Sequence, residues 1–194
     1  MDDAYMVESV QLFTALLALA ALSGTLALAC ALITRKRSHQ AKKFLEAVAP
    51  SALVLAALIS VATMAGSLYF SEIANYTPCK LCWYQRIAAF SLALVLPGVA
   101  WKRDTKAALY LLPLPAAGIV VSTYHWVIEH YPNIKSSSCE ITAPCTAIWF
   151  EKFGFLTLSS MAWISFATTI TLIAVSLISS DSLEARPEGV ETHS

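Results

Sequence analysis

PCKLCWYQRIAAFSLALVLPGVAW, residues 78–101, joins a C-x-x-C motif directly to an apolar segment, and this junction decides how the chain is organised. The apolar part alone, Ile87–Trp101, is shorter than the roughly 20 residues that cross a bilayer core as helix. A helix that starts at Pro78 reaches about 36 Å at ~1.5 Å per residue, which is enough. We therefore predict that the C-x-x-C lies on the first turn of a transmembrane helix. Thr77 is the expected N-cap, because proline suits the first helical position.

The rest of the chain is equally apolar. It is 57% hydrophobic and only 13% charged, whereas soluble domains carry about 25% charged residues. This predicts an all-α membrane protein, a four-helix transmembrane bundle plus one extra N-terminal transmembrane helix. The other expected spans are Val10–Ile33, Pro50–Ser71, Ala107–Ile128 and Leu156–Ser180.

Three parts follow from these spans. Residues 1–49 are predicted to form the N-terminal transmembrane helix and a basic cytoplasmic loop, residues 50–180 the four-helix bundle, and residues 181–194 a disordered cytoplasmic tail. The apolar spans predict the lipid bilayer as a partner, and the formal net charge of zero predicts no polyanionic partner such as nucleic acid.

The distribution of lysine and arginine predicts the orientation, because these residues accumulate in cytoplasmic loops. The connections after the first and third spans are basic, with Arg35, Lys36, Arg37, Lys42, Lys43, Lys102, Arg103 and Lys106. The segments that hold the cysteine pairs carry fewer cations, namely Lys80, Arg86, Lys135 and Lys152. Both cysteine pairs are therefore expected outside the cytoplasm.

The first cysteine pair has the features of a reactive dithiol. Cys79 and Cys82 lie at a predicted helix N-terminus, whose partial positive charge favours thiolate over thiol. Arg86 follows four residues later on the same helix face, where an ionised side chain inside a membrane is costly and usually functional. Two alternatives stay open. Arg86 could extend to the interface, or the pair could be half of a zinc site.

A second pair, Cys139 and Cys145, lies in the polar loop before the last span. A disulfide between them could be a structural staple. The presence of another dithiol on the same membrane face favours thiol–disulfide exchange instead, because exchange needs a disulfide that a thiolate can reach. Cys30, in the first span, is expected to be inert and buried.

Pro78–Arg86, PCKLCWYQR, resembles the signature of the disulfide bond formation protein B (DsbB) family, quinone-reducing membrane oxidoreductases built on a four-helix bundle. Phe153–Thr157, FGFLT, is similar to the short-loop (BdbC-like) branch of that family. The resemblance covers residues 50–180 and leaves the first span unexplained. It implies a multi-pass protein of the bacterial cell (inner) membrane.

The resemblance also implies a role for each cysteine. Cys139 would form a mixed disulfide with an extracytoplasmic, DsbA-like thiol oxidase of thioredoxin fold. Cys145 would exchange with Cys79, and Cys82 would pass electrons to a quinone, ubiquinone or menaquinone. Arg86 matches an arginine that contacts the quinone. A histidine with the same role corresponds to His125 or His130, and the family pattern favours His125.

The function predicted from the residues and the resemblance together is a membrane thiol–disulfide oxidoreductase that reoxidises the thiol oxidase and reduces quinone. One alternative is a non-catalytic membrane protein with a disulfide-stapled external loop. A second is a metal sensor that uses all four external cysteines. The third is an enzyme similar to vitamin K epoxide reductase, although there the loop cysteines precede the C-x-x-C and here they follow it.

Overall fold

The computed structural model of this chain describes residues 2–131 and 144–184. Within these ranges the only bridge between extended segments joins Lys152 to Leu156, and the regular structure is otherwise helical. Five helical stretches of the described residues are long and apolar enough to cross a membrane. This confirms the predicted all-α membrane class. The helices are α1 (Asp2–Thr34), α2 (His39–Leu68), α3 (Lys80–Lys102), α4 (Thr105–Leu111), α5 (Pro113–His130) and α6 (Leu158–Glu184), and α2 continues as a π-helical turn (Tyr69–Ile73).

Helices α2, α3, α5 and α6 pack around a shared core, and α1 packs outside them against α6 and α2. In a membrane the hydrophobic effect does not drive helices together, so they associate through close packing, which small side chains allow. Gly118 of α5 shows this most clearly, because a Cβ atom there would lie 2.5 Å from Cε2 of Phe166 on α6. The best-buried core residues include Ala52, Ala56, Leu92, Leu96 and Ile173.

Two helix boundaries differ from the sequence-based expectation. α2 begins at His39, where the Ser38 side chain accepts a hydrogen bond from the Ala41 N–H, so the basic loop expected to reach residue 49 is short and Pro50 lies inside a helix. The fourth span is interrupted at Leu112, and α5 starts at Pro113. Proline explains the interruption, because it lacks an N–H and clashes with the preceding helical turn.

The start of α3 also differs. Cys79 is the N-cap, with an extended backbone, and α3 begins at Lys80. The Cys79 sulfur accepts a hydrogen bond from the Cys82 N–H at 3.3 Å, in the way that an oxygen side chain caps a helix. The prediction of Thr77 as the N-cap was therefore wrong by two residues, and the first cysteine takes that position.

Cys30 lies on α1, in the first span. It is a free, exposed cysteine, so the expected burial of its side chain was wrong. A buried hydrogen bond of 2.7 Å between Thr25 Oγ1 and Thr168 Oγ1 ties α1 to α6. α6 extends to Glu184, and residues 185–194 of the predicted tail lie outside the described residues.

Candidate functional site

The first cysteine pair is a dithiol at the N-terminus of α3. The Cys79 and Cys82 sulfurs are 2.9 Å apart and both cysteines are free. Cys79 is buried and Cys82 is half-buried. The pair therefore combines a helix N-terminus with a protected environment, two conditions that control thiol reactivity.

His125 of α5 is the nearest base to this pair. Its Nε2 lies 3.6 Å from the Cys79 sulfur, and its Nδ1 lies 3.2 Å from Nε2 of Gln85. An amide N–H that donates to Nδ1 leaves the imidazole proton on Nε2, which faces the thiol. His125 is buried. His130, the other histidine considered from the sequence, instead stacks on Trp126 at 4.2 Å between ring centroids.

Glu129 extends this arrangement, and sequence reasoning missed it. Its Oε1 lies 3.5 Å from His125 Nε2, and its Oε2 accepts hydrogen bonds from the hydroxyls of Thr157 and Ser159. The carboxylate is buried, so the two hydroxyls replace water as its donors. The only sequence signal was the four-residue spacing from His125, which places both side chains on one helix face.

The electrostatics of this cluster favour a thiolate at Cys79. A hydrogen bond donated by the Cys82 thiol, with a further contribution from His125, lowers the pKa of Cys79 to about 4. Burial acts in the opposite direction and is outweighed. Cys79 is therefore deprotonated at neutral pH and protonated only below a pH of about 4.

This predicts a measurable titration. In the reduced protein, the thiolate absorbance at 240 nm that Cys79→Ser removes should persist from pH 9 down to about pH 5. His125→Ala should raise the pKa of Cys79, because the imidazole no longer stabilises the thiolate. His130→Ala is the control on the same helix and should leave the titration unchanged. A Cys79 midpoint near the ordinary thiol value of 8.5 in the unmodified protein would contradict this electrostatic account.

Cys145 packs beside the first cysteine pair. It is disulfide-bonded and almost completely buried, and it shares a cluster of buried side chains with Cys79, Leu81 and Ile128. Its backbone also contacts His125. Cys139, the other predicted member of the second pair, lies outside the described residues. The structure thus brings Cys145 to Cys79, as the predicted exchange requires.

A cavity of about 380 Å³ adjoins the first pair, and Cys82 and Arg86 form part of its lining. Most of its wall is apolar and comes from α1, α2, α3 and α6. Three aromatic residues of the lining form one cluster. Tyr76 stacks on Trp149 at 4.9 Å and on Phe70 at 5.8 Å between ring centroids. Gln85 also lines the cavity, so one side chain joins it to His125.

Arg86 is fixed at the edge of this cavity. Its Nε donates to Ser67 Oγ at 3.0 Å and its Nη2 to the Ser67 carbonyl oxygen at 2.8 Å. Its guanidinium carbon also lies 5.2 Å from the Trp83 ring centroid, within cation–π range. The residue is only 9% exposed, so its side chain is held inside the protein by these contacts. The π-helical turn that follows Ser67 is a departure from α geometry that is frequent at functional sites.

Metal binding is the chemical alternative for the thiols. Cys79, Cys82 and His125 have ligand atoms within 4.8 Å of one another, so these three residues could hold an ion. The sensor hypothesis required all four external cysteines as thiolates. Cys145 is in a disulfide here, and the four-thiolate site is therefore not formed within the part of the chain that the structure describes.

The chain is similar to proteins of disulfide bond formation. Residues 49–180 match the family model of the disulfide bond formation protein DsbB. The chain is 39% identical over 111 residues to a probable disulfide formation protein of Oceanobacillus iheyensis, which covers 56% of this chain and 77% of the relative. It is 34% identical over 119 residues to disulfide bond formation protein C of Bacillus subtilis, which covers 61% of this chain and 86% of the relative. No solved structure matches the chain.

The matched segment contains α3 with its C-x-x-C, the His125–Glu129 pair and Cys145, while α1 precedes it. The family match, the relatives named for disulfide formation and the reactive dithiol at a membrane helix agree with one another. This chain belongs to the DsbB family, the multi-pass membrane disulfide oxidoreductases.

Proposed function

We propose that this protein reoxidises an extracytoplasmic, DsbA-like dithiol oxidase of thioredoxin fold and passes the electrons to a membrane quinone. One observation carries the proposal. Cys82 lines the apolar cavity, whereas Cys79 is absent from that lining and is buried in the cluster with Cys145. A dithiol in this position can receive electrons through Cys79 and release them through Cys82.

The cavity fits a quinone by size and chemistry. Its volume of about 380 Å³ lies within the range of small-molecule sites, which are mostly apolar with a few oriented polar groups. Arg86 is the oriented polar group here. An arginine has five N–H groups and Ser67 accepts from two of its nitrogens, so further N–H groups can donate to a carbonyl oxygen of the ring. A bound ubiquinone or menaquinone would supply an acceptor for two electrons and two protons.

Electrons would move from the partner to Cys79 and Cys82 through a series of thiol–disulfide exchanges. The cycle starts with Cys79 and Cys82 joined in a disulfide, the state that follows transfer of their two electrons and two protons to the acceptor. One thiolate of the partner attacks the Cys139–Cys145 disulfide at Cys139 and releases Cys145, which then attacks Cys79 and releases Cys82 as a thiolate. The partner's second thiol closes its own disulfide and releases Cys139, which in turn attacks Cys145 and frees Cys79. The partner loses two electrons and two protons, and Cys79 and Cys82 become a dithiol while Cys139–Cys145 is restored.

The environment of Cys79 suits the last of these exchanges. A thiol of low pKa leaves faster in thiol–disulfide exchange, and the pKa of Cys79 is about 4. His125 donates to this sulfur, and Glu129 positions the imidazole through its own contact with Nε2. Gln85 keeps the other ring nitrogen occupied. We assign His125 to thiolate stabilisation and Arg86 to the quinone, so that only one of the two residues contacts the acceptor.

The same proposal places both cysteine pairs outside the cytoplasm. The basic residues Arg35–Arg37 follow α1, and Lys102 and Arg103 end α3 at its far end from the C-x-x-C. Cytoplasmic connections are the ones enriched in such residues. A disulfide-generating site on the other face is also the arrangement that keeps its disulfides away from reducing cytosolic thiols.

The test is quinone-dependent thiol oxidation by the purified, quinone-depleted protein. A reduced thioredoxin-fold oxidase should lose its two thiols catalytically only when ubiquinone or menaquinone is added, and one of the two should support faster turnover. Equal rates of thiol loss with and without either quinone would contradict the proposal. Oxidation of at most one partner molecule per enzyme in the presence of both quinones would favour a loop disulfide without an electron acceptor.

A further inference from the structure

Helix α1 forms part of the cavity although it lies outside the segment that matches the family. Four of its residues line the cavity, namely Thr14, Leu17, Ala18 and Ala21. Their spacing of three, one and three residues places them on one face of the helix. The family segment begins at residue 49, so this wall is an addition to the bundle that carries the cysteines.

The wall is held firmly against the bundle. Ala15 is completely buried in a cluster with Leu156 and Ile164, and the hydrogen bond between the Thr25 and Thr168 hydroxyls joins a later part of α1 to α6. Alanines on this face permit the close approach that membrane helices need. α1 is therefore a packed component of the protein rather than a tether.

A polar contact links α1 to the aromatic cluster of the cavity lining. Gln11 donates a hydrogen bond from Nε2 to the Tyr76 hydroxyl at 2.7 Å. Tyr76 stacks between Trp149 and Phe70, and all three aromatic residues line the cavity with Cys82. α1 thus contributes both a wall and the hydrogen bond that orients one of the rings.

We propose that α1 is part of the electron-acceptor site and that its face from Thr14 to Ala21 closes the cavity around an apolar, membrane-soluble quinone. Without this face the cavity would lose one of the four helical walls that enclose it. The proposal rests on the proposed quinone function and deepens it by assigning the added helix to quinone affinity. The occupant is a quinone because Cys82, which must give up electrons, and Arg86, which can bind a carbonyl oxygen, line the same cavity.

The experiment compares the same substitution at two alanines of α1, one that lines the cavity and one on the exposed face. Ala18→Leu adds volume inside the cavity, whereas Ala20→Leu adds the same volume on the exposed face. Binding of a short-chain quinone to the full-length protein is followed by quenching of tryptophan fluorescence, since Trp149 lines the cavity. We expect Ala18→Leu to weaken binding by about tenfold or more and to raise the KM for quinone equally. Ala20→Leu should match the unmodified protein, and the KM for the dithiol partner should not follow the change in Ala18→Leu.

A second pair of variants guards against misfolding of the first. Leu17→Ala shortens a cavity-lining side chain that is half exposed, and Leu16→Ala makes the same change on a neighbour that does not line the cavity. Weaker quinone binding in Leu17→Ala but not in Leu16→Ala supports the proposal. Equal affinities within both pairs, in a protein that binds quinone, would overturn it. Failure of the unmodified protein to bind or reduce quinone would instead overturn the proposed function.

Discussion

Replacing Cys82 with serine should reduce quinone-dependent turnover by at least about a thousandfold, since the variant lacks the sulfur that lines the acceptor cavity. Cys79 is not expected to replace it, because Cys79 is buried and is not part of the cavity lining. The fold should persist. Serine is close to cysteine in size, and the N-cap that starts α3 is Cys79 rather than Cys82. Anaerobic quinone reduction and circular dichroism measure the two expectations.

The same variant should also show which disulfide the geometry favours. With Cys82 absent, the Cys79 sulfur remains beside Cys145 and can attack the Cys139–Cys145 disulfide, which releases Cys139 as a thiol. A Cys79–Cys145 disulfide should therefore form in part of the molecules and be detectable by peptide mass spectrometry. Cys30→Ser is the matched control, because Cys30 is free, exposed and distant from the site, and it should keep full turnover. Recovery of only Cys139–Cys145 in the Cys82 variant would mean that the two pairs do not exchange as proposed.

Replacing Arg86 with glutamine should lower turnover by about a hundredfold, mainly through the acceptor side of the reaction. The guanidinium is the one cation among the residues that line the cavity in the described part of the chain, and its two hydrogen bonds to Ser67 fix its position. Loss of a preorganised donor at a site of developing charge is costly in a low-dielectric environment. Oxidation of the partner's first thiol, which occurs before electrons reach the cavity, should continue to form a mixed disulfide.

Stability separates this catalytic effect from damage to the fold. A buried charge is expensive to desolvate, so Arg86→Gln should leave the melting temperature unchanged or raised while activity falls. Arg86→Lys keeps the charge but loses the planar geometry that bonds Ser67 twice, and it should recover only part of the activity. Lys102→Gln removes an exposed charge at the other end of α3 and should have no effect. A lower melting temperature in Arg86→Gln with an unchanged turnover per folded molecule would assign this residue to structure.

The sequence predicted the part of the site that one helix carries. Helical spacing put Cys82 and Arg86 on one face, and the structure places both in the cavity lining. The apolar runs likewise predicted the spans, because membrane helices must bury continuous apolar surface. Two helix boundaries that involve proline were predicted wrongly. Pro50 was read as a start but lies within α2, while Pro113 interrupts a run that looked continuous.

The features that the sequence did not predict depend on contacts between helices. Gln85 of α3 reaches His125 of α5, and the Glu129 carboxylate accepts hydrogen bonds from Thr157 and from Ser159 of α6. The four-residue spacing of His125 and Glu129 does not by itself identify these partners. The role of Ser67 follows from a side chain 19 residues later and from the π-helical turn beside it. The place of α1 against the cavity was also unpredictable, because an apolar helix with small residues could pack on any side of the bundle.

The central claim is that electrons pass from an external dithiol through Cys79 and Cys82 to quinone, and anaerobic quinone reduction tests it most directly. Purified full-length protein, a reduced thioredoxin-fold oxidase and a limiting amount of quinone are mixed, and quinol and partner disulfide are both quantified. We expect one quinol for each partner disulfide over many turnovers, and none above background with Cys82→Ser. Partner disulfide formed without quinol, or equal quinol formation in the Cys82 variant, would contradict the proposed electron route.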